Sequence, residues 1–484
     1  MDQNKHNLPL LEVKDFSLSF RAYQRGMIET KLEVIKKLNL TIYEGEIVAV
    51  VGASGSGKSL LANAILGILP SHAKWTGELK YKGKNLTEKE LKHLRGKEII
   101  LIPQSTHALN PLMKVGKQVE EAVFSKDKKM IRNNIISRIG LPSRIADQYP
   151  FELSGGMQRS IMGAIAMISP ANLIIADEPT PGLDPVILKE TTQMLKQLSK
   201  VGKGVMFISH DIRTALSIAD RVVVFKQGET IEEAKVEAFT KEGECLAHAY
   251  TKKLWNALPE NDFSSVKTYA SSSSTNKCVK GNALRAVKLS YHYKGAEPLF
   301  DNLSLTITPG EIVGLQGYSG AGKTTLAKIL AGYVKPSSGY VNISGEKGNR
   351  VGVYPVQLVW QHPEKAINPR WKMKKVLAES DMQSDSLLNK LGIQENWLSR
   401  WPSELSGGEL QRFCIARALN AETKFLIADE MTTMLDSITQ ARLWEVVCQV
   451  ARERQIGILA ISHDSYLLSR ISDRVIDFSS ICHG

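Results

Sequence analysis

Short unbroken apolar runs recur along the chain: IVAVV (47–51), LIIAD (173–177) and VMFIS (205–209), then IVGLQ (312–316), FLIAD (425–429) and ILAIS (458–462). Runs of this length, rich in Val and Ile, fit strands buried on both faces, which is the signature of a parallel sheet. Between them lie longer stretches with helical spacing of apolar positions, such as MQRSIMGAIAMI (157–168) and LQRFCIARALN (410–420). This alternation predicts α/β domains with a largely parallel central sheet flanked by helices. No apolar stretch approaches the ~18 residues that would cross a bilayer. The start, MDQNKHNLPLLEVKDF, has no basic segment followed by an apolar one, so no secretory leader is expected.

The pattern occurs twice. GASGSGKS (52–59) returns as GYSGAGKT (317–324), LSGG at 153 returns at 405, and LIIADE returns as FLIADE. ISHD at 208 returns at 461, and ALNP (108–111) has its echo in AINP (366–369). Landmarks in one order at a near-constant offset of roughly 250–265 residues mean two homologous domains. The intervening ENDFSSVKTYASSSSTNKCVKGNA (260–283) carries the run Ser271–Ser274 and lacks apolar periodicity, as a tether does. We therefore divide the chain into a domain at 1–262 with a C-terminal tail, a Ser-rich linker at 263–283 and a second domain at 284–484.

Composition changes this picture little. The 484 residues have 43% hydrophobic and 23% charged content, ordinary for a globular protein. The formal charge of +12 suits anionic partners. The Lys-rich pieces at 80–97 and 126–132 read as solvated faces, because neither interleaves the aromatics a single-strand nucleic-acid binder needs. No nucleic-acid partner is expected. Five scattered cysteines without a CxxC pair argue for reduced thiols rather than a disulfide frame or zinc site.

The candidate chemistry is phosphate chemistry. GxxxxGK[ST] lies between a predicted strand and helix in both halves, where backbone N–H groups can cradle phosphates at a helix N-terminus. In the first copy the loop residues are Gly52, Ser54, Gly55 and Gly57; in the second they are Gly317, Ser319, Gly320 and Gly322. Lys58 and Lys323 would reach the β- and γ-phosphates, and the hydroxyls of Ser59 and Thr324 would ligate Mg²⁺. Each Asp-Glu pair ends a strand, the edge at which open α/β sheets bind ligands. Asp177 and Asp429 would hold Mg²⁺ through its water shell, and Glu178 and Glu430 would orient or deprotonate the attacking water. His210 and His463 end a further strand and point to a γ-phosphate contact. Gln104 and Gln361, after LIP and LVW, would bind Mg²⁺ or the lytic water.

With P-loop, Gln, LSGG, Asp-Glu and His in this order, each half resembles the ATP-binding cassette (ABC) ATPases, over nearly the whole chain apart from the linker. That resemblance implies P-loop domains with a helical subdomain carrying LSGG, and ATP and Mg²⁺ as cofactors. It also implies head-to-tail pairing, in which the signature of one cassette closes over ATP on the P-loop of the other. One site would combine Lys58, Ser59, Gln104, Asp177, Glu178 and His210 with Ser406, Gly407 and Gly408. The other would combine Lys323, Thr324, Gln361, Asp429, Glu430 and His463 with Ser154, Gly155 and Gly156. Asp184 and Asp436 match the D-loop, and Phe20 and Tyr293 match the aromatic on which adenine stacks. LSGG is followed by Gln-Arg after one residue in the first copy and after two in the second, a departure from strict repetition.

The tail HAYTKKLWNALPEN (248–261) resembles HPYTxxLLxAxP of the peptide/nickel branch of importer ATPases, with His-Ala for His-Pro, and ALNP and AINP resemble that branch's [SA]LNP. This implies an energy-coupling subunit at the cytoplasmic face of the cell membrane. Its partners would be two permease subunits, meeting the regions 105–125 and 362–380, and an extracytoplasmic binding protein. Cargo stays open among peptide, nickel or cobalt, and a metal chelate. The alternatives are an energy-coupling-factor type vitamin or cobalt importer and a soluble ABC-F type translation factor. The short Ser-rich linker and DEPTPGLD and DEMTTMLD, in place of DEPTNHLD, depart from the ABC-F pattern. A DNA-repair cassette would need a long insertion between P-loop and signature, which is absent.

Overall fold

The computed structural model describes residues 8–24, 28–53, 55–103, 108–180, 185–240, 243–261, 263, 282–295, 297–318, 320–343, 354–380, 385–433 and 435–482. They form two compact units, Met1–Trp255 and Asn256–Gly484.

The central sheet of the first unit has six strands. From edge to edge they are Glu229–Lys235, Arg221–Lys226, Ile47–Gly52, Gly204–Ser209, Leu173–Asp177 and Ile99–Ile102. All pairings are parallel except the edge hairpin of Glu229–Lys235 with Arg221–Lys226. Ile47–Gly52 and Gly204–Ser209 are buried at every position, as their unbroken apolar runs require. The second unit repeats this with five parallel strands, ordered Val356–Val359, Phe425–Asp429, Gly457–Ile461, Ile312–Gln316 and Arg474–Asp477. Even the fastenings recur. Asp220 accepts from the N–H of Ile47 at 2.8 Å, and Asp473 from that of Ile312 at 2.8 Å.

Each unit also has an antiparallel sheet that apolar runs alone do not announce. In the first unit it pairs Leu11–Gln24 with Ile28–Ile42 and Ala73–Tyr81. In the second it pairs Leu284–His292 with Pro298–Ile307 and Ser338–Ile343. Phe16, Leu18 and Ile35 join Val48, Leu61 and Phe225 in one core. A separate cluster of Val119, Ile136, Ile145 and Ile161 holds the helical subdomain together.

The division between the units falls earlier than residue 262. Phe263 N donates to Asn256 O at 2.8 Å, and Arg470 donates to Pro259 O at 2.9 Å and Asn261 O at 2.6 Å. Ala257 and the fully buried Phe263 pack with Leu467, Leu468 and Ile471 in the second unit's core. The end of the tail is therefore part of the second unit, and Phe263 is a core residue rather than the first residue of a tether. Of the linker, 264–281 lie outside the described residues. Phe263→Ala is expected to destabilise the second unit by ~3–5 kcal/mol, as for other buried Phe truncations. Denaturant unfolding followed by tryptophan fluorescence, to which the second unit contributes Trp360, Trp371, Trp397, Trp401 and Trp444, measures it, and a loss below ~1 kcal/mol would assign Phe263 no packing role.

Candidate active sites

In both units the strand–loop–helix unit carries the P-loop. Gly57 and Gly322 sit at the caps of helices Lys58–Ile65 and Lys323–Leu330 with φ of 95° and 108°. A side chain there would be strained, and at Gly57 its Cβ would stand 2.9 Å from Ile35 Cγ1. Lys58 Nζ donates to Gly52 O at 2.8 Å and Ala53 O at 2.9 Å; Lys323 Nζ donates to Gly317 O and Tyr318 O at 2.7 Å. Both ammonium groups thus lie inside their own loop, drawn over the carbonyls. Burial lowers the pKa of Lys323, against the charges of Glu430 and Asp429. Ser54 and Ser319 lie outside the described residues.

The strand-end acids stand beside these loops. Ser59 Oγ donates to Asp177 Oδ1 at 3.0 Å, and the Thr324 hydroxyl hydrogen-bonds Asp429. Burial raises both aspartates above their ordinary value, opposed by those hydroxyls and reinforced by the adjacent glutamates. One hydroxyl and one carboxylate per site is a hard-oxygen pair that suits Mg²⁺ completed by phosphate oxygens and water. Among the described residues no cluster of three or more His, Cys, Asp or Glu forms a protein cage for a metal.

Glu178 and Glu430 adopt φ of 45° and 48°, rare for a non-glycine residue. Their N–H groups bond Ile208 O at 2.9 Å and Ile461 O at 3.0 Å, which fixes this turn at the sheet's edge. Glu178 Oε2 lies 3.3 Å from His210 Nδ1; Glu430 Oε1 lies 2.7 Å from His463 Nε2. Burial pushes the Glu178 carboxyl up, but the hydrogen bond and charge of His210, with Lys58, hold it below its ordinary value. Gln361 Nε2 donates to Glu430 Oε2 at 2.8 Å, so Gln361, Glu430 and His463 form one chain of contacts. Gln104 lies outside the described residues.

Ser154 caps helix Gly155–Ile168 by accepting from Met157 N at 3.3 Å; Ser406 caps Gly407–Ala418 by accepting from Glu409 N at 3.3 Å. Glu409 returns a bond to Ser406 N at 2.7 Å, completing a capping box that Met157 cannot make. A Cβ built on Gly155 or Gly407 meets nothing within 4 Å, so these helix starts are open to an approaching phosphate. Gly156 and Gly408 are closed by Ile187 and Leu435.

Both signature helices begin at the glycine after the serine, so the two copies share one register. Arg159 therefore corresponds to Gln411 and Ser160 to Arg412; the different Gln-Arg spacing is substitution, not insertion. Gln158 Nε2 bonds Pro150 O at 2.6 Å, whereas Gln411 Nε2 reaches Trp360 O at 3.1 Å, one residue before Gln361. The sequence shows the different spacing but not its meaning, because the contacts that separate Gln158 from Gln411 join segments distant along the chain.

Of the two aromatics, Tyr293 hydrogen-bonds Thr325 Oγ1 at 3.1 Å and so touches the P-loop helix. Phe20 packs on the first unit's core with its ring 5.5 Å from His72. Asp436 caps helix Ser437–Arg454 through Thr439 N at 3.1 Å; Asp184 lies outside the described residues.

The sequence profile of the ABC transporter family matches residues 35–181 and 300–433. The chain belongs to that family: it is an ATP-binding protein with two cassettes, and an ATPase. It is 31% identical over 511 residues to the ABC transporter ATP-binding protein YejF of Escherichia coli K12, covering 96% of this chain and 93% of that one. It is 30% identical over 511 residues to the peptidoglycan transport ATP-binding protein YejF of Agrobacterium fabrum, covering 97% and 90%. It is 28% identical over 535 residues to the glutathione import ATP-binding protein GsiA of Escherichia coli K12, covering 96% and 84%. Among solved structures, the RNase-L inhibitor aligns with a TM-score of 0.62 at 20% identity, covering 96% and 87%, a likeness of fold.

Proposed function

We propose that this chain is the ATP-hydrolysing subunit of a membrane importer of short peptides, and that its two cassettes pair head to tail around two ATP molecules. The reading rests above all on the near full-length similarity, tail included, to ATP-binding proteins named for peptidoglycan transport and glutathione import. Nickel, cobalt and metal-chelate cargo have no such support.

The geometry around the described residues supports these roles, and Gln104 is given that of Gln361 by its matching place in the sequence. Lys58 and Lys323 exchange their loop carbonyls for the phosphates of ATP. Ser59 with Asp177, and Thr324 with Asp429, would hold Mg²⁺, together with Gln104 and Gln361; the ion would neutralise phosphate charge. Glu178 and Glu430 accept a hydrogen bond from the attacking water, with His210 and His463 holding the carboxylates and facing the γ-phosphate. Ser154–Gly156 and Ser406–Gly408 offer their helix starts to the nucleotide of the opposite cassette.

Among the described residues no helix is long and apolar enough to cross a membrane, so separate permeases would supply the path. We place the chain on the cytoplasmic face, with an extracytoplasmic binding protein delivering cargo. The permeases would dock on the region following each glutamine. Asn110 Oδ1 accepts from Leu112 N at 3.0 Å and Asn368 Oδ1 from Arg370 N at 3.0 Å, the same turn in both units. In the first unit it borders a groove of about 640 Å³ lined by Met113, Lys117, Arg132 and Tyr149, with Leu112 87% exposed beside it.

Pull-down with the Glu178→Gln, Glu430→Gln double variant and ATP from gently solubilised cells tests the reading. Two related multi-span permeases are expected. Ribosomal subunits without permeases would overturn it in favour of a translation-type cassette.

A further inference from the structure

The exchange of Gln411–Arg412 for Arg159–Ser160 leaves a cavity in the first unit. In the second, Arg412 Nη1 donates to Leu391 O at 2.6 Å, and a Cβ on Gly392 would meet that Nη1 at 2.7 Å, so the guanidinium fills the space against this helix end. The first unit has the same helix end, Ile139–Gly140, with Gly140 at φ 74° where Gly392 has 68°. Ser160 is too short to reach it and turns back to Gly156 O at 3.2 Å. A cavity of about 330 Å³ remains, lined by Ile139, Gly140, Arg159 and Ser160 and walled by helix Pro185–Lys200. That is within the range of small-molecule sites, ~300–1,000 Å³.

Its lining is a recognisable chemistry. Met162, Met167 and Met194 form much of the apolar wall, and methionine adapts to side chains of varied shape. Arg159 supplies a positive pole, and its buried Nε has no hydrogen-bond partner among the described residues. An unmatched buried donor of this kind is costly and calls for an acceptor. Glu190, exposed like Arg138, contributes a carboxylate, and Arg138 a second guanidinium, to the lining. Two arginines and one carboxylate beside three methionines suit a short zwitterion with an apolar side chain.

We propose that this cavity binds a short peptide with free termini, its carboxylate on Arg159 and its ammonium on Glu190. The site has a direct route to the chemistry. Ile102 and Pro103 lead into Gln104, Pro179 follows Glu178, and Arg159, Ser160 and Met162 belong to the signature helix; all line the cavity. An occupant braces the signature helix against these segments and slows turnover. The sense of this device, restraint of the ATPase by accumulated cargo, rests on the peptide-importer reading; the binding site does not.

Isothermal titration of the full chain with the tripeptide Ala-Leu-Ala tests the site. One binding event is expected, weakened 10-fold or more by amidating the peptide's C-terminus or by Arg159→Gln. Ser160→Arg, which installs the residue that the second cassette carries, is expected to abolish it. No binding by the unaltered chain, or equal binding after Ser160→Arg, overturns the proposal, as does inorganic phosphate binding in the peptide's place with equal affinity. Bound peptide should also lower ATPase turnover at least 2-fold, and unchanged turnover at saturation removes the regulatory role. Peptide binding by a chain that captures no permease would sink the importer reading and leave this site standing; permease capture without peptide binding would do the reverse.

Discussion

Glu178→Gln and Glu430→Gln should each lower steady-state ATP turnover on the order of 10²-fold, and the double variant should be scarcely worse than either single one. The substitution is nearly isosteric, so it changes the chemistry while keeping the turn held by Ile208 O and Ile461 O. Glu178 sits below its ordinary pKa and is a carboxylate at neutral pH, able to accept from water; glutamine keeps the shape without the charge or basicity. Non-additivity follows from the proposed pairing, because each ATP would lie between elements of both cassettes and one arrested site would hold the other closed. Single-turnover measurements separate chemistry from release. Additive losses would mean two independent cassettes, and full activity in either single variant would remove that glutamate from catalysis.

The two cassettes are alike at their strand ends and differ around them. Gln361, Glu430 and His463 are joined by contacts of 2.8 and 2.7 Å, and Gln411 ties the signature helix to Trp360 O, next to Gln361. The second cassette thus links the signature helix, Gln361 and the strand-end carboxylate of Glu430 through side-chain contacts. In the first, Arg159 stands where that tie would begin.

The grouping of side chains at the strand ends was legible because they sit at fixed places in apolar runs: IIAD ends at the acid pair and VMFIS at His210, and Glu178 does meet His210. The antiparallel sheets were not. Their alternation is broken by bulges, with register shifts between Val13 and Phe16 and between Ala286 and Leu289, and positive φ at Asp15 and Lys288. Each bulge moves the apolar side chains to the other parity, so the two-residue period fails within one strand. The fate of Phe263 was also hidden. One aromatic beside a polar segment has no periodicity, and its burial depends on a surface distant in sequence.

If Asp429 holds Mg²⁺ as proposed, Asp429→Asn should cut turnover ~10–100-fold, as loss of an outer partner of a metal site does, yet raise the melting temperature of the chain without nucleotide. Asp429 is 4% exposed, and burial raises its pKa with Glu430 adding to the effect. A carboxyl whose folded pKa lies above its unfolded value of ~3.9 binds its proton more tightly in the folded chain. Ionisation therefore costs stability, beginning near the unfolded value and growing as pH rises through the folded one. Asparagine still accepts from Thr324 and never ionises. The gap between variant and wild type should be smallest toward pH 4 and widen to ~1 kcal/mol, or ~2–4 °C, near neutrality. Melting curves from pH 4 to 8 in EDTA, without nucleotide, measure it. Added ATP and Mg²⁺ should shrink or reverse the gap by stabilising the wild type, since in the proposed site the ion would give Asp429 a charge partner. A variant less stable than wild type at pH 7.5 without nucleotide would show that Asp429 is held for packing and not for its charge.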